Sequence, residues 1–161
     1  MSMVRQVGLL LRRRALTLAV AESCTGGLLA SRLTDVSGSS AYFRGGVVSY
    51  SDDIKVQVLE VSKDLIVARG AVSSEVALAM AKGVRRLMRA DIAVAVTGIA
   101  GPTGATLAKP VGLVYVAVTA DDFEECHEFH WQGTRIQNKR KSAEAALALL
   151  HDYLTSGQSS P

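Results

Sequence analysis

Ala21-Glu22-Ser23-Cys24-Thr25-Gly26-Gly27 joins a short apolar run, Leu16 to Ala21, to an amphipathic stretch that begins at Gly26. Its reading as strand, sharp turn and helix decides the fold. Such a join leaves backbone N–H groups and a small nucleophilic side chain aimed at one point, a geometry suited to acyl transfer. Two glycines placed just inside the helix would keep side chains off the turn and let a substrate approach the backbone. A Ser or Thr that merely caps a helix fits the same residues, so the remainder of the chain has to separate the two readings.

The 161 residues suffice for one domain with a continuous core, and 1–161 is read as such. Hydrophobic residues make up 48% of the chain but aromatic ones only 5%. The core must therefore be built from Val, Leu, Ile and Ala, which favours α/β packing. No apolar run reaches the ~18 to 20 residues needed to span a bilayer. Arg5 and Arg12-Arg13-Arg14 near the N-terminus do not resemble a signal peptide, so a cytoplasmic protein without a membrane partner is expected. Cys24 and Cys126 are too few for a disulfide framework and lack metal-ligand spacing.

The net charge is +3, and basic residues cluster at Arg12 to Arg14, at Arg85-Arg86 with Arg89, and at Lys139-Arg140-Lys141. These clusters fall on helices, where they read as solvated faces. Aromatic interleaving of the kind that stacks single strands is absent, and no nucleic-acid partner is expected.

Periodicity gives an alternating order. Met3 to Arg14 reads as a helix, Leu16 to Val20 as a strand, Thr25 to Leu33 as a helix, Gly38-Ser39-Ser40 as a loop and Gly45 to Tyr50 as a second strand. Ser51-Asp52-Asp53 opens a short helix with Lys55 in its first turns, and Ser62 to Ala68 forms another, ended by Gly70. A long amphipathic helix after Ser73-Ser74 carries Val76, Met80, Val84 and Leu87 along one face. Asp91 to Val96 is nearly all apolar, as befits the central strand of a sheet buried on both faces. Thr97 to Pro110 is a glycine-rich loop, Leu113 to Thr119 a strand, and Glu124 to Trp131 a polar edge strand joined to it by an antiparallel hairpin at Asp121-Asp122. Thr134 to Leu154 closes the chain as a helix with Ala143, Ala146, Leu147, Leu150 and Leu154 inward, before a frayed tail at Gln158 to Pro161. The expected fold class is α/β, a three-layer α/β/α sandwich around a mixed, mostly parallel sheet of about five strands.

Ligands bind at strand ends in such sheets. Ser23 follows the first strand, Tyr50 and Lys55 the second, and Thr97-Gly98 the third, so three segments converge on one edge. Arg135 follows the last strand. If that strand is antiparallel to its neighbours, Arg135 should lie at the opposite edge, a conflict the sequence leaves open.

The blocks Ala21 to Gly27, Gly38-Ser39-Ser40 with Gly46 to Tyr50 and Lys55, Gly70-Ala71-Val72-Ser73, Thr97-Gly98-Ile99-Ala100-Gly101-Pro102 and Lys109-Pro110-Val111-Gly112 carry a family resemblance over nearly the whole chain. Together they resemble the C-terminal domain of the CinA competence/damage-inducible proteins and its stand-alone relatives, the nicotinamide-nucleotide amidohydrolases known as PncC. Two departures stand out. Ala105 follows Gly104 where relatives commonly carry two glycines, and Lys139 stands where an arginine is frequent. The resemblance covers only the C-terminal domain, so any pyrophosphatase activity of the N-terminal domain of full CinA proteins is expected to be absent.

The resemblance implies hydrolysis of the carboxamide of nicotinamide mononucleotide to nicotinate mononucleotide and ammonia, with Ser23 and Lys55 at the family's Ser/Lys positions. It implies that Tyr50 assists Lys55 or orders the amide, that Thr97 and Gly98 line the nucleotide site, and that Arg135 supplies positive charge. Cys24, Thr25, Gly26 and Gly46 complete the expected substrate-binding set. Arg135, Lys139 and Arg140 are the candidates for the phosphate. A serine hydroxyl needs a base, and a lysine serves only if desolvation or nearby positive charge lowers its pKa. The start of a helix would push Lys55 in that direction. Cys24 is the rival nucleophile, since a thiol beside a helix N-terminus can ionise readily. No cofactor and no metal is called for, and His127, His130 and His151 show no convincing ligand set. The expected partners are a small nucleotide and a further copy of the chain. A non-catalytic nucleotide-binding module and a partner-binding adaptor remain the alternatives.

Overall fold

The computed structural model describes residues 1–156; the tail assigned to Gln158 to Pro161 lies outside them. In chain order the elements are α1 (Met3–Arg13), β1 (Leu18–Glu22), α2 (Leu28–Thr34), a 3-10 turn (Ser39–Ala41), β2 (Phe43–Val48), α3 (Asp52–Gln57), α4 (Lys63–Arg69), α5 (Ser74–Met88), β3 (Ile92–Gly98), β4 (Leu113–Ala120), β5 (Phe123–His130) and α6 (Arg135–Ser156). The five strands form one mixed sheet in the order β2-β1-β3-β4-β5, with β3 at its centre.

Strand alternation sorts the core by size. Leu18, Val20, Ile92, Val94, Val96, Val116 and Val118 point to one face, where Leu11 of α1, Leu29 and Leu33 of α2, and Ala143, Ala146, Leu147, Leu150 and Leu154 of α6 cover them. Ala19, Ala21, Ala93, Ala95 and Ala117 point to the other, beneath Val76, Met80 and Val84 of α5. Small side chains let α5 lie close to its surroundings: a Cβ on Gly83 would stand 2.0 Å from the Leu59 carbonyl oxygen. Leu87, expected in the same stripe, is 50% exposed, and it is the next residue, Met88, that packs against the core in the last turn of α5. Ser51, Ser62 and Ser73 cap α3, α4 and α5 through their side chains, as capping chemistry predicts.

Several boundaries shift in ways that matter for the site. The helix expected from Thr25 begins only at Leu28; Gly26 and Gly27 precede it with φ of 62° and 99°, left-handed values that a side chain would strain. The expected loop at Gly38-Ser39-Ser40 is partly the 3-10 turn, and Tyr50 lies two residues beyond the end of β2. Thr97 and Gly98 are the last residues of β3, so the loop starts at Ile99.

The pairings β1–β2 and β1–β3 are parallel; β3–β4 and β4–β5 are antiparallel. Two reversals restore direction, so β5 runs the same way as β1, β2 and β3. The chain end that carries Arg135 therefore emerges at the same sheet edge as Ser23, Tyr50 and Thr97, and the conflict left by the sequence is resolved within one chain. The connection after β1 leads to β2 on one side and the connection after β2 crosses to β3 on the other. Between β1 and β3 lies the switch point at which α/β sheets open a crevice.

Candidate functional site

Ser23 is the first residue past β1, and its amide still donates to the Val96 carbonyl at 2.9 Å, which continues the β1–β3 ladder into the turn. The Gly26 amide donates back to the Ser23 carbonyl at 3.1 Å. Of the neighbouring residues of the turn, Cys24 borders the cavity while Thr25 is fully buried. Ser23 is buried, with 8% of its surface exposed.

Lys55 reaches this point from α3. Its side chain is buried, and its Nζ lies 3.2 Å from Ser23 Oγ and 2.8 Å from the Ser49 carbonyl oxygen, to which it donates. Burial pushes its pKa below the ordinary lysine value, while the Asp52 carboxylate, 3.9 Å away, pulls the other way. Lys55 is the fourth residue of the six-residue α3, and desolvation is the largest cause of its lowered pKa. The amine donates to both the Ser49 carbonyl and Ser23 Oγ, and the neutral form of the same amine would be within reach of the serine proton, the spacing a general base needs beside a hydroxyl.

Cys24 has no such partner. Burial raises its thiol pKa to about 12, which leaves it protonated at neutral pH despite its place in the turn.

These groups open on a cavity of about 340 Å³ at the sheet edge. Ser23, Cys24, Asp52 and Lys55 line it together with Tyr50 and Arg135, with Ala71, Val72, Thr97 and Gly98, and with the loop from Ile99 to Gly101 and Thr103-Gly104. The Arg135 guanidinium donates from Nη1 to the Gly101 carbonyl at 2.8 Å and from Nη2 to the Tyr50 hydroxyl at 2.9 Å. Asn138, one turn along α6, donates to the Ala100 and Gly133 carbonyls. The two residues tie the glycine-rich loop to the helix. The Thr97 hydroxyl donates to the Ala71 carbonyl at 2.9 Å and so joins two walls.

Three residues of the expected binding set stand apart from the lining. Thr25 is fully buried and donates its hydroxyl to Glu22 Oε1 at 2.6 Å. Gly46 lies against β1, where a Cβ would sit 2.6 Å from Val20 Cγ2, and serves strand packing. Gly26 faces Lys139, whose Nζ would be 3.5 Å from an added Cβ. Of the two other phosphate candidates, Lys139 therefore lies over the Ser23 turn, whereas Arg140 is exposed.

Sequence reasoning missed Asp52, the Ser49 carbonyl and Asn138. Ser51-Asp52-Asp53 was visible as a cap, but the (i, i+3) spacing of Asp52 and Lys55 on a helix was the signal that placed the acid beside the amine. Other surface grooves lie elsewhere, two of them of about 520 and 560 Å³. One is walled by the Lys82–Glu124 and Arg85–Asp121 ion pairs, the other by Val4, Leu147 and the Arg32–Glu144 pair, and neither sets a hydroxyl beside a buried amine. Among the described residues no group of three His, Cys, Asp or Glu is placed to hold a metal ion, and no helix is long and apolar enough to cross a membrane.

An α/β protein with a buried serine–lysine contact in a strand-end cavity is the class that fold and site define. The profile of the CinA C-terminal domain matches residues 1–154, and the chain belongs to the CinA C-terminal domain family. It is 50% identical over 153 residues to a CinA-like protein of Desulfotalea psychrophila, and 51% identical over 153 residues to a CinA-like protein of Chlorobium limicola. The alignments cover 95% and 92% of this chain but 37% and 36% of those proteins, so the chain spans little more than a third of the curated relatives it matches. The crystal structure of the competence/damage inducible protein CihA from Agrobacterium tumefaciens is similar with a TM-score of 0.90 and 40% identity, covering 92% of this chain and 91% of that one. A CinA superfamily protein from Klebsiella pneumoniae gives 0.93 and 32%, with 96% of each chain covered.

Proposed function

We propose that the domain is an amidohydrolase that deamidates nicotinamide mononucleotide, with Ser23 as nucleophile and Lys55 as its base. The observation that carries this reading is the 3.2 Å approach of Lys55 Nζ to Ser23 Oγ, with the lysine buried and its pKa lowered. Ser23 attacks the carboxamide carbon as Lys55 takes its proton, and the tetrahedral oxyanion is received by amides of the Cys24–Thr25 turn. Protonated Lys55 then gives its proton to the departing ammonia. Water attacks the acyl-serine with Lys55 again as base, releasing nicotinate mononucleotide and restoring Ser23.

Tyr50 and Arg135 border the cavity as a bonded pair and supply a hydroxyl and a positive charge to the substrate, while Thr97 and Gly98 form the wall behind it. The cavity volume suits part of a mononucleotide, with the phosphate directed to Arg135 or Lys139. The domain acts in this reading as one unit, on a small nucleotide, without a cofactor, in the cytoplasm and as a homo-oligomer.

The test is ammonia release from nicotinamide mononucleotide by the native protein and by Ser23→Ala, Cys24→Ala and Lys55→Ala. The reading expects release by the native protein and Cys24→Ala only. Saturable nucleotide binding with no release from any of them would make the domain a binding module.

A further inference from the structure

Glu22 is a buried acid that the proposed chemistry does not use. It ends β1 immediately before Ser23 and is 1% exposed. Its Oε1 accepts from the Thr25 hydroxyl at 2.6 Å and from the Leu29 amide at 2.9 Å, and its Oε2 accepts from the Ala30 amide at 3.0 Å. The carboxylate thus folds over the turn and holds its far side. α2 has Gly27 as its N-cap and no side-chain cap of its own, so Glu22 takes that part from outside the helix.

The backbone of the same residue holds the other partner. The Glu22 carbonyl accepts from the Ser49 amide at 2.8 Å, the Ser49 carbonyl accepts from Lys55 Nζ at 2.8 Å, and Lys55 Nζ meets Ser23 Oγ at 3.2 Å. Residues 22, 49, 55 and 23 therefore close a ring. The sheet holds the Ser23 backbone through its amide bond to Val96, but the chain beyond it runs into a turn containing two glycines with left-handed φ, conformations that side chains do not stiffen.

We propose that Glu22 is the positioning residue of the Ser23–Lys55 pair: its carboxylate pins the Thr25–Ala30 segment so that Ser23 Oγ stays within proton-transfer distance of Lys55. This rests on the Ser/Lys reading of the site, and not on the identity of the amide. Only a carboxylate fits all three donors. In Glu22→Gln one end of the side chain becomes an NH2, which faces either the Ala30 amide or the Thr25 and Leu29 donors, and the turn must move to relieve that opposition. Small displacements of a nucleophile are costly, with about 1 Å able to remove about a hundredfold in rate.

The experiment measures the rate at which an alkyl fluorophosphonate labels Ser23, per folded molecule, alongside kcat and KM for ammonia release from nicotinamide mononucleotide. For Glu22→Gln, labelling and kcat are expected to fall together by at least about tenfold with KM changed less than about threefold, while the thermal transition stays cooperative. Should that variant not fold, Thr25→Val removes one of the three donors and is expected to slow labelling by about threefold or more. Native labelling rates in a folded Glu22→Gln, or in Thr25→Val where Glu22→Gln fails to fold, would overturn the proposal, as would a native protein in which Ser23 resists labelling. A native protein that labels in a Lys55-dependent way yet releases no ammonia would sink the substrate reading alone, and the labelling rates of the variants would still decide the role of Glu22.

Discussion

Lys55 Nζ lies 3.2 Å from Ser23 Oγ although 32 residues separate them, and the contact is made in the interior with both residues buried. A buried ammonium is disfavoured, and the carboxylate nearest this one, Asp52 at 3.9 Å, is exposed to solvent. Burial therefore shifts this amine toward the neutral form that a base requires.

In the proposed reaction Ser23 and Lys55 act in one proton-transfer step, so their losses should not add. Ser23→Ala and Lys55→Ala are each expected to lower kcat by about 10²- to 10⁴-fold, and the double variant by no more than the worse of the two. Single-turnover rates on all three proteins check this; a multiplicative double variant would mean that the residues work independently.

The lowered pKa of Lys55 gives the pH profile its sign. Neutral amine accumulates as pH climbs through that value, so kcat/KM should rise with pH along a limb below the usual lysine range and level off above it. Asp52→Asn removes the charge that opposes burial, and the limb should move to lower pH. The Lys55 contribution to folding stability likewise rises with pH between its lowered value and its unfolded one, because the unfolded chain binds the proton more tightly. A profile of the Asp52→Asn variant that superimposes on the native one would exclude this coupling.

Arg135 spans the Gly101 carbonyl and the Tyr50 hydroxyl with two arms of one guanidinium, a bridge that the point charge of a lysine cannot make. Arg135→Lys is expected to raise KM by about tenfold or more, since each charged hydrogen bond lost is worth about 1.5–3 kcal/mol. Tyr50→Phe removes one acceptor and should have the smaller effect. Steady-state kinetics of the two variants give the order.

Cys24 and Cys126 both have thiols raised to about 12 by burial. Alkylation of the native protein at pH 8 should run at least about a hundredfold slower than that of free cysteine, and denaturation should restore the ordinary rate. Rapid labelling of Cys24 in the folded state would reopen its claim as nucleophile.

Gly83 separates local from tertiary preference. In an exposed helix Gly→Ala stabilises by about 1 kcal/mol. Here the new Cβ would stand 2.0 Å from the Leu59 carbonyl oxygen, and Gly83→Ala is expected to destabilise by about 1–3 kcal/mol or more. The shift in urea midpoint, with its sign, is the measurement.

Much of the molecule is written locally. Alternation of Val with Ala in β1 and β3, the serines before α3, α4 and α5, and the inward row from Ala143 to Leu154 announce their elements because periodicity and capping act over a few residues. The same blocks carry the family, and Ser23, Lys55, Tyr50, Thr97, Gly98 and Arg135 could be named before any coordinates.

The tertiary structure decided what those residues meet. No local pattern shows that β4 turns antiparallel to β3, yet that reversal is what returns β5 to the common direction and delivers Arg135 to Tyr50. The burial of Lys55, its bond to Ser49 and the triple use of the Glu22 carboxylate likewise depend on the parallel register of β1 with β2, in which Glu22 lies opposite Val48. A sequence determines its elements through interactions between near neighbours. The distance between Ser23 and Lys55, 32 residues apart, is set by strand pairing and packing, which sum contacts from the whole chain.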